Sequence, residues 1–306
     1  MTAQAGERVV IGVSPALSAT LSIIAKQQGF FLQQGIDVDI RIIESGSKAV
    51  ALMLNDKLDI SECTVFALVS NSFSRKDFKI LTQVSTSGNS NMIVARKDKG
   101  IQKIEDLKGK KVGVLKGGFP QYVLDLMLLN AGVDHKKVRL VFDETDRLYQ
   151  LLLSGKLDAV CLYGIWIEKA KNNLKDNAVL FHDEKITHVT IVHAGKSRNF
   201  ERNPDLYSKM LKAYIKAEEY VKKNPDAALK MVVDYLKLDM VNSRKIWKPN
   251  LVHVALDQSL IKDMENLAQW QIDTGLRSNS KIPNYLEFIQ FKNLMDTDQK
   301  RVTIAH

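Results

Sequence analysis

Three kinds of group in this sequence are suited to holding a small molecule: carboxylates, hydroxyls, and a glycine-rich turn that opens backbone amides. Glu62, Glu144 and Asp146 stand just past short apolar runs, where they could accept hydrogen bonds from an amine or an aminopyrimidine. Such carboxylates equally well face solvent or offset the positive ends of helices. Lys116-Gly117-Gly118-Phe119-Pro120-Gln121 runs from a strand into a helix, a place where amides can meet an anion. Pro120 has no N–H to give, which weakens the case for an oxyanion held by amides alone. Nothing here points to covalent or metal chemistry. Cys63 and Cys161 are isolated, no C-x-x-C occurs, and His182, His188 and His193 lack the i, i+4 spacing of a helical metal pair. The expectation from these residues is no catalytic residue, metal or cofactor, and so not an enzyme.

The elements that must position these groups are repeated. Leu52-Met53-Leu54-Asn55-Asp56-Lys57-Leu58-Asp59-Ile60 returns as Leu151-Leu152-Leu153-Ser154-Gly155-Lys156-Leu157-Asp158-Ala159. Each copy has a matching opening, Val10-Ile11-Gly12-Val13-Ser14 and Lys111-Val112-Gly113-Val114-Leu115. Each is an apolar strand breaking into a loop. Two copies are too few for a solenoid, so the repeat predicts two α/β lobes of one design.

The pattern along the chain fills in those lobes. Residues 8–14 read as a strand, Ser18 to Gln28 as a helix ending at Gly29, and Ile36 to Ile43 as an alternating strand. Ser45-Gly46-Ser47 can cap the helix that leads into the first Lys-Leu-Asp strand. The polar run from Ser85 to Asn91 reads as a loop crossing into the second lobe, and Thr187 to Ala194 as the return, with Gly88 suited to a hinge. This places lobe 1 at 8–87 plus 195–306 and lobe 2 at 88–194. The rest is helical, with buried stripes at Leu206, Met210, Tyr214, Ala217 and Val221 and at Leu260, Met264 and Leu267. Cys63 and Cys161 fall in opposite lobes as small buried residues, with no disulfide between them.

In open parallel sheets ligands bind beyond the carboxyl ends of the strands. That rule selects Ser14, Leu17, Ser45, Ser47, Glu62 and Thr64 in the first lobe, and Gly117, Gly118, Phe119, Gln121, Thr145, Asp146, Tyr163 and Trp166 in the second. Ser87 and Asn91 flank the crossing. For each the plain alternative is a cap or turn residue without a ligand.

Across 306 residues the net charge is +9. The lysines are scattered singly over predicted helices and no aromatic residues interleave with them, which argues against nucleic acid. No apolar run is long enough to cross a bilayer. Ala3-Gln4-Ala5 has the small-residue pattern of a signal-peptidase site, from which the leader would already be gone.

Several strings, taken in order, resemble a known family. Ala25-Lys26-Gln27-Gln28-Gly29-Phe30-Phe31, Gly35-Ile36-Asp37-Val38, Ser45-Gly46-Ser47, Asp106-Leu107-Lys108-Gly109-Lys110-Lys111-Val112-Gly113-Val114, Lys116-Gly117-Gly118 and Ser154-Gly155-Lys156-Leu157-Asp158-Ala159 are similar to the solute-binding proteins of nitrate, sulfonate, taurine and thiamine-pyrimidine importers. The resemblance implies an α/β, two-lobe periplasmic-binding-protein-like (type II) fold with a cleft between the lobes. It further implies a small-molecule ligand, delivery to an ABC permease, a periplasmic or extracytoplasmic location and a monomer. Tyr163-Gly164-Ile165 stands where many members have Trp-Glu-Pro, so a pocket carboxylate is missing. Two other readings belong to the same fold. One is the sensing domain of a membrane receptor; the other is an enzyme, either a thiamine-pyrimidine synthase, whose cysteine-rich iron motif is absent here, or a menaquinone-pathway lyase.

Overall fold

A computed structural model describes residues 7–87, 91–183 and 188–305. The chain forms two compact units: unit 1 runs to Thr86 and resumes at Thr190, and unit 2 spans Ser87–Val189. Ala3-Gln4-Ala5, Gly88 and Thr187 lie outside the described residues.

Unit 1 begins with β1 (Glu7–Val13), α1 (Thr20–Gln27), β2 (Ile36–Ile42), α2 (Gly46–Leu54), β3 (Ile60–Thr64), α3 (Val65–Ser72) and β4 (Phe78–Ser87). Unit 2 contributes β5 (Asn91–Arg96), β6 (Lys111–Val114), α4 (Phe119–Asn130), β7 (Arg139–Phe142), α5 (Thr145–Leu153), β8 (Ala159–Tyr163), α6 (Ile165–Leu174) and β9 (Ala178–Phe181). The chain then runs through β10 (Val189–Lys196), α7 (Ser197–Arg202), α8 (Pro204–Lys223), α9 (Pro225–Leu236), α10 (Met240–Ile246), β11 (Val252–Ala255), α11 (Gln258–Asp273) and α12 (Phe291–Asp298). Unit 1 carries a sheet of order β11-β4-β10-β3-β1-β2, and unit 2 a sheet of order β7-β6-β8-β5-β9.

In both sheets the duplicated strands pair in parallel, β2-β1-β3 and β7-β6-β8. Their neighbours β10 and β5 run antiparallel to them. β10 pairs with β3 from Ile191 opposite Thr64 to Gly195 opposite Ile60, so it belongs to the sheet of unit 1, and the division falls at 189/190 instead of 194/195. Its apolar alternation would suit either sheet; the register against β3 decides. The polar run is also shorter than expected. β4 continues through Ser87, and Ser85 is buried opposite Val252, because pairing with β11 satisfies a backbone that the side chains alone would mark as loop.

The repeated phrase is a clasp built twice. After α2, Lys57 N donates to Leu52 O and Asp56 N to Met53 O; after α5, Lys156 N donates to Leu151 O and Gly155 N to Leu152 O. Both are the Schellman ending, whose turn residue must be left-handed. Gly155 (φ 70) meets that at no cost, and Asp56 (φ 59) occupies the same place in the first copy. The aspartate then ties the next strand to its neighbour: Asp59 Oδ2 accepts from Val10 N and Asp158 Oδ2 from Lys111 N, each at 2.8 Å. Between them the leucine packs where a glycine leaves room. A Cβ on Gly12 would lie 2.4 Å from Leu58 Cδ1, and one on Gly113 2.7 Å from Leu157 Cδ1.

Helices cover these sheets on apolar faces. In unit 2, Ile93, Ala95, Ala159 and Cys161 pack with Val123, Leu124 and Met127 of α4, while Val94, Val160 and Leu162 pack with Leu148 and Leu152 of α5 and Ile167 of α6. Successive strand residues thus feed opposite layers, as the two-residue period requires. In unit 1 the expected stripe of α8 is buried from Leu206 to Val221, and so is that of α11 at Leu260, Met264 and Leu267. Pro204 opens α8, where Asn203 accepts from Leu206 N. β2 departs from its expected alternation at one end: Ile42 is exposed on this edge strand.

Candidate functional site

The carboxyl edge of the unit 1 sheet is polar and largely self-satisfied. Ser14 follows β1 and is half-buried; Leu17 opens a short 3-10 turn, Leu17–Ala19. Ser45 and Thr64 are helix caps, accepting from Lys48 N and Ala67 N respectively. Ser47 is exposed in the first turn of α2. Glu62 is not the open rim carboxylate that its position suggested. It is 1% exposed, Ser18 Oγ donates to its Oε1 at 2.8 Å, and His193 Nε2 lies 3.3 Å from its Oε2.

His193 is the residue that sequence reasoning missed here. It sits directly opposite Glu62 across the β3/β10 pairing and is fully buried, with Ser22 Oγ 3.5 Å from Nε2 and the Tyr214 ring 4.8 Å away. Its Nδ1 has no hydrogen-bond partner among the described residues, which assigns the ring hydrogen to Nε2, facing Glu62. Burial pushes the Tyr214 phenol above its ordinary value, with Ser22 acting in the opposite sense. No local signal could have shown this cluster, since it needs the register of two strands far apart in sequence. Its consequence is mechanical: through Ser18 the buried carboxylate anchors the turn that follows Ser14.

The carboxyl edge of the unit 2 sheet is different. Gly117 N donates to Gln121 Oε1 at 2.8 Å, Gly118 N to Leu115 O, and Gln121 N to Gly118 O. With Pro120 in the first turn of α4, the glycine loop therefore closes on itself, and the amides of Gly117, Gly118 and Gln121 are already engaged. Phe119 is half-buried, 5.7 Å from the Tyr122 ring. Thr145 Oγ1 lies 3.5 Å from Tyr163 Oη, while Asp146 and Glu144 are exposed. Tyr163 ends β8 opposite Asn91, which is buried at the start of β5; Ser87 ends β4. Trp166 packs back on Tyr149, with Lys169 over its ring, and so belongs to the helical layer. Two rim residues escaped the sequence reading: Phe142, exposed at the end of β7, and Lys116, whose Nζ stands 5.6 Å from the centre of that ring. The rule that selected Tyr163 as the residue closing a strand would also have selected Phe142.

The thiols are not poised for chemistry. Both cysteines are free and buried, one in each unit; burial pushes Cys63 up to about 12 and raises Cys161 as well. Among the described residues no three His, Cys, Asp or Glu side chains converge as metal ligands, and no helix is long and apolar enough to cross a membrane.

Comparison with known proteins agrees with this architecture. A thiamine biosynthesis protein of Haemophilus influenzae is 28% identical over 255 residues, covering 79% of this chain and 73% of that one. A protein of Bacillus subtilis named for binding aliphatic sulfonates is 25% identical over 280 residues, covering 88% and 82%. Among solved structures, the periplasmic aliphatic sulphonate binding protein SsuA from Escherichia coli superposes with a TM-score of 0.78 at 13% identity, covering 92% of this chain and 97% of that chain. The model of the family described as NMT1/THI5 like matches residues 18–228, so this chain, an α/β protein with the periplasmic-binding-protein fold, belongs to the NMT1/THI5-like family.

Proposed function

We propose that this protein is an extracytoplasmic, non-enzymatic solute-binding protein that clamps a small organic ligand of the sulfonate type between its two lobes and presents it, as a monomer, to an ABC permease. The observation that carries the reading is the doubled clasp. Twice, an aspartate just before a strand ties it to its parallel neighbour and a leucine packs against a glycine of that neighbour, and twice the carboxyl ends beyond carry loops rich in hydroxyl, amide or aromatic groups. That is a scaffold for holding a molecule, and the groups that could attack one are buried: the thiols are raised by burial, and His193 faces Glu62 inside unit 1. A relative named for binding sulfonates supports the ligand class. Binding energy that favours the closed lobes would drive closure, and a permease would read the closed form.

A thermal-shift screen of sulfonates, nitrate, bicarbonate, amines and pyrimidines tests this directly. A cognate ligand at a hundred times its dissociation constant adds about 2.7 kcal/mol, and solution scattering with that ligand should show compaction. Ligand turnover detected by NMR, or saturation with an unchanged scattering profile, would count against the clamp.

A further inference from the structure

The edge of unit 2 combines exposed rings with a cation that has no carboxylate partner. Phe142 closes β7 at 43% exposure, Tyr163 closes β8 at 39%, and Ile165 opens α6 at 66%. β7 and β8 flank β6, so these residues share one edge of the sheet. Val114 pairs with Phe142 at the end of β6, and the Thr145 hydroxyl lies beside the Tyr163 phenol, which draws the tyrosine toward the start of α5. Gly164 separates Tyr163 from α6 with φ 54 and ψ −132, a backbone conformation that only glycine adopts without strain, and a Cβ there would meet nothing within 4 Å. Lys116 is exposed, and among the described residues the Phe142 ring is its one partner.

Exposed aromatic residues at the carboxyl end of parallel strands, where α/β folds bind their ligands, have a specific use. They cover the apolar part of a molecule whose charged part is read elsewhere. Lys116 offers a counter-charge to a negative head. Asp143 and Glu144 are exposed on the loop after β7 and Asp146 is exposed in the first turn of α5, with Arg147 next in sequence. None pairs with Lys116, and together they disfavour a multiply charged head such as sulfate or phosphate. The self-closed glycine loop removes the amide cradle that a bare inorganic anion would need.

We propose that this edge of unit 2 is a subsite for the apolar body of a singly charged organic anion, with Phe142 and Tyr163 as its walls and Lys116 as its counter-charge. This rests on the solute-binding reading and sharpens it: the body of the ligand, more than its head, sets affinity.

The test is calorimetric titration of the full chain with nitrate, methanesulfonate, hexanesulfonate and benzenesulfonate, which hold charge constant while the body grows. Benzenesulfonate and hexanesulfonate should bind at least about tenfold tighter than methanesulfonate, since roughly 25 cal/mol accompanies each Å² of apolar surface covered. Tyr163→Ala and Phe142→Ala should each remove about tenfold of that gain, leave methanesulfonate nearly unchanged and leave the melting temperature in place. Tyr163→Phe should retain the gain, and Lys116→Gln should weaken all three sulfonates alike. Nitrate or methanesulfonate binding as tightly as benzenesulfonate, or an unchanged ladder in both ring variants, would overturn the subsite. Binding of amines or neutral pyrimidines with none of the four anions would overturn it too, yet leave the solute-binding reading standing; that reading falls only if the whole solute screen gives no binding.

Discussion

β3 and β8 leave matching clasps and then run into unlike endings. In unit 1 the strand carries Glu62 into the interior, where Ser18 and His193 take both carboxylate oxygens. In unit 2 the strand ends in Tyr163, exposed, its phenol 3.5 Å from the Thr145 hydroxyl. The duplicated residues are those that hold strand to strand and helix to strand, where any change breaks a packed geometry. The contrast lies farther along, with Glu62 three residues past Asp59 and Tyr163 five residues past Asp158, toward the carboxyl ends of the strands. A buried carboxylate bonded through both oxygens ties its neighbours in place, and an exposed ring commits its neighbours to nothing. Under the solute-binding proposal, unit 1 would supply a fixed edge and unit 2 the edge that sets specificity.

The largest expected effect tests that contrast at its centre. Glu62→Ala leaves His193 Nε2 and Ser18 without their acceptor inside unit 1, at a cost of about 3 kcal/mol in a urea melt, since each stranded buried group costs about 1–3 kcal/mol. Glu62→Gln keeps one acceptor and should recover part of the loss. A Glu62→Ala loss under about 1 kcal/mol would show that the carboxylate is no anchor, and the two edges would then be alike in kind.

That anchor was illegible in the sequence, and the reason is physical. Asp59 and Asp158 announce themselves because the phrase around them is repeated, and a repeat at that spacing has few explanations besides a duplicated lobe. The stripes of α8 and α11 are legible because helical period and burial coincide within one element. Glu62 and His193 meet only through antiparallel register between β3 and β10, which no local pattern encodes. The same blindness moved β10 across the lobe boundary and read the end of β4 as loop, where pairing with β11 buries Ser85. Candidate rim loops were legible because strand ends are legible. Whether a residue there faces out, as Tyr163 does, or in, as Glu62 does, depends on what lies opposite.

A second effect compares the clasps themselves. A Cβ on Gly113 meets Leu157 at 2.7 Å, Leu148 at 2.9 Å and Val160 at 3.1 Å, whereas one on Gly12 meets Leu58 at 2.4 Å with its next neighbour at 3.3 Å. One leucine tip can rotate aside more easily than three side chains. Gly113→Ala should cost about 2–3 kcal/mol and Gly12→Ala about 1 kcal/mol by denaturant melts, within the usual range for overpacking. Equal losses would mean that the two clasps tolerate crowding equally. Smaller still is Tyr163→Ala, whose effect on stability should stay within about 0.5 kcal/mol, as for an ordinary surface position. A loss near that of Glu62→Ala would show that the ring is structural.

The smallest effect concerns the one position where the clasps differ in turn residue. Asp56 holds the left-handed site that Gly155 fills in the second copy, and its carboxylate takes Lys196 Nζ at 2.8 Å and also pairs with Arg198. Hydrogen bonds from Lys196 first and Arg198 second hold Asp56 below the ordinary aspartate value of 3.8. A carboxylate depressed on folding contributes stability above its unfolded value and loses it as pH falls through the folded one. Asp56→Gly removes that contribution and relieves the turn, because glycine accepts positive φ freely. Wild type should therefore be the more stable at about pH 7, by a margin that shrinks in high salt because these groups are partly exposed. As pH drops below the ordinary aspartate range the margin should close and then reverse, leaving the variant ahead on backbone conformation alone. Urea midpoints at both pH values check this. A margin that does not change with pH would assign the difference to the turn and not to the ion pairs, and the two clasps would then differ only in backbone.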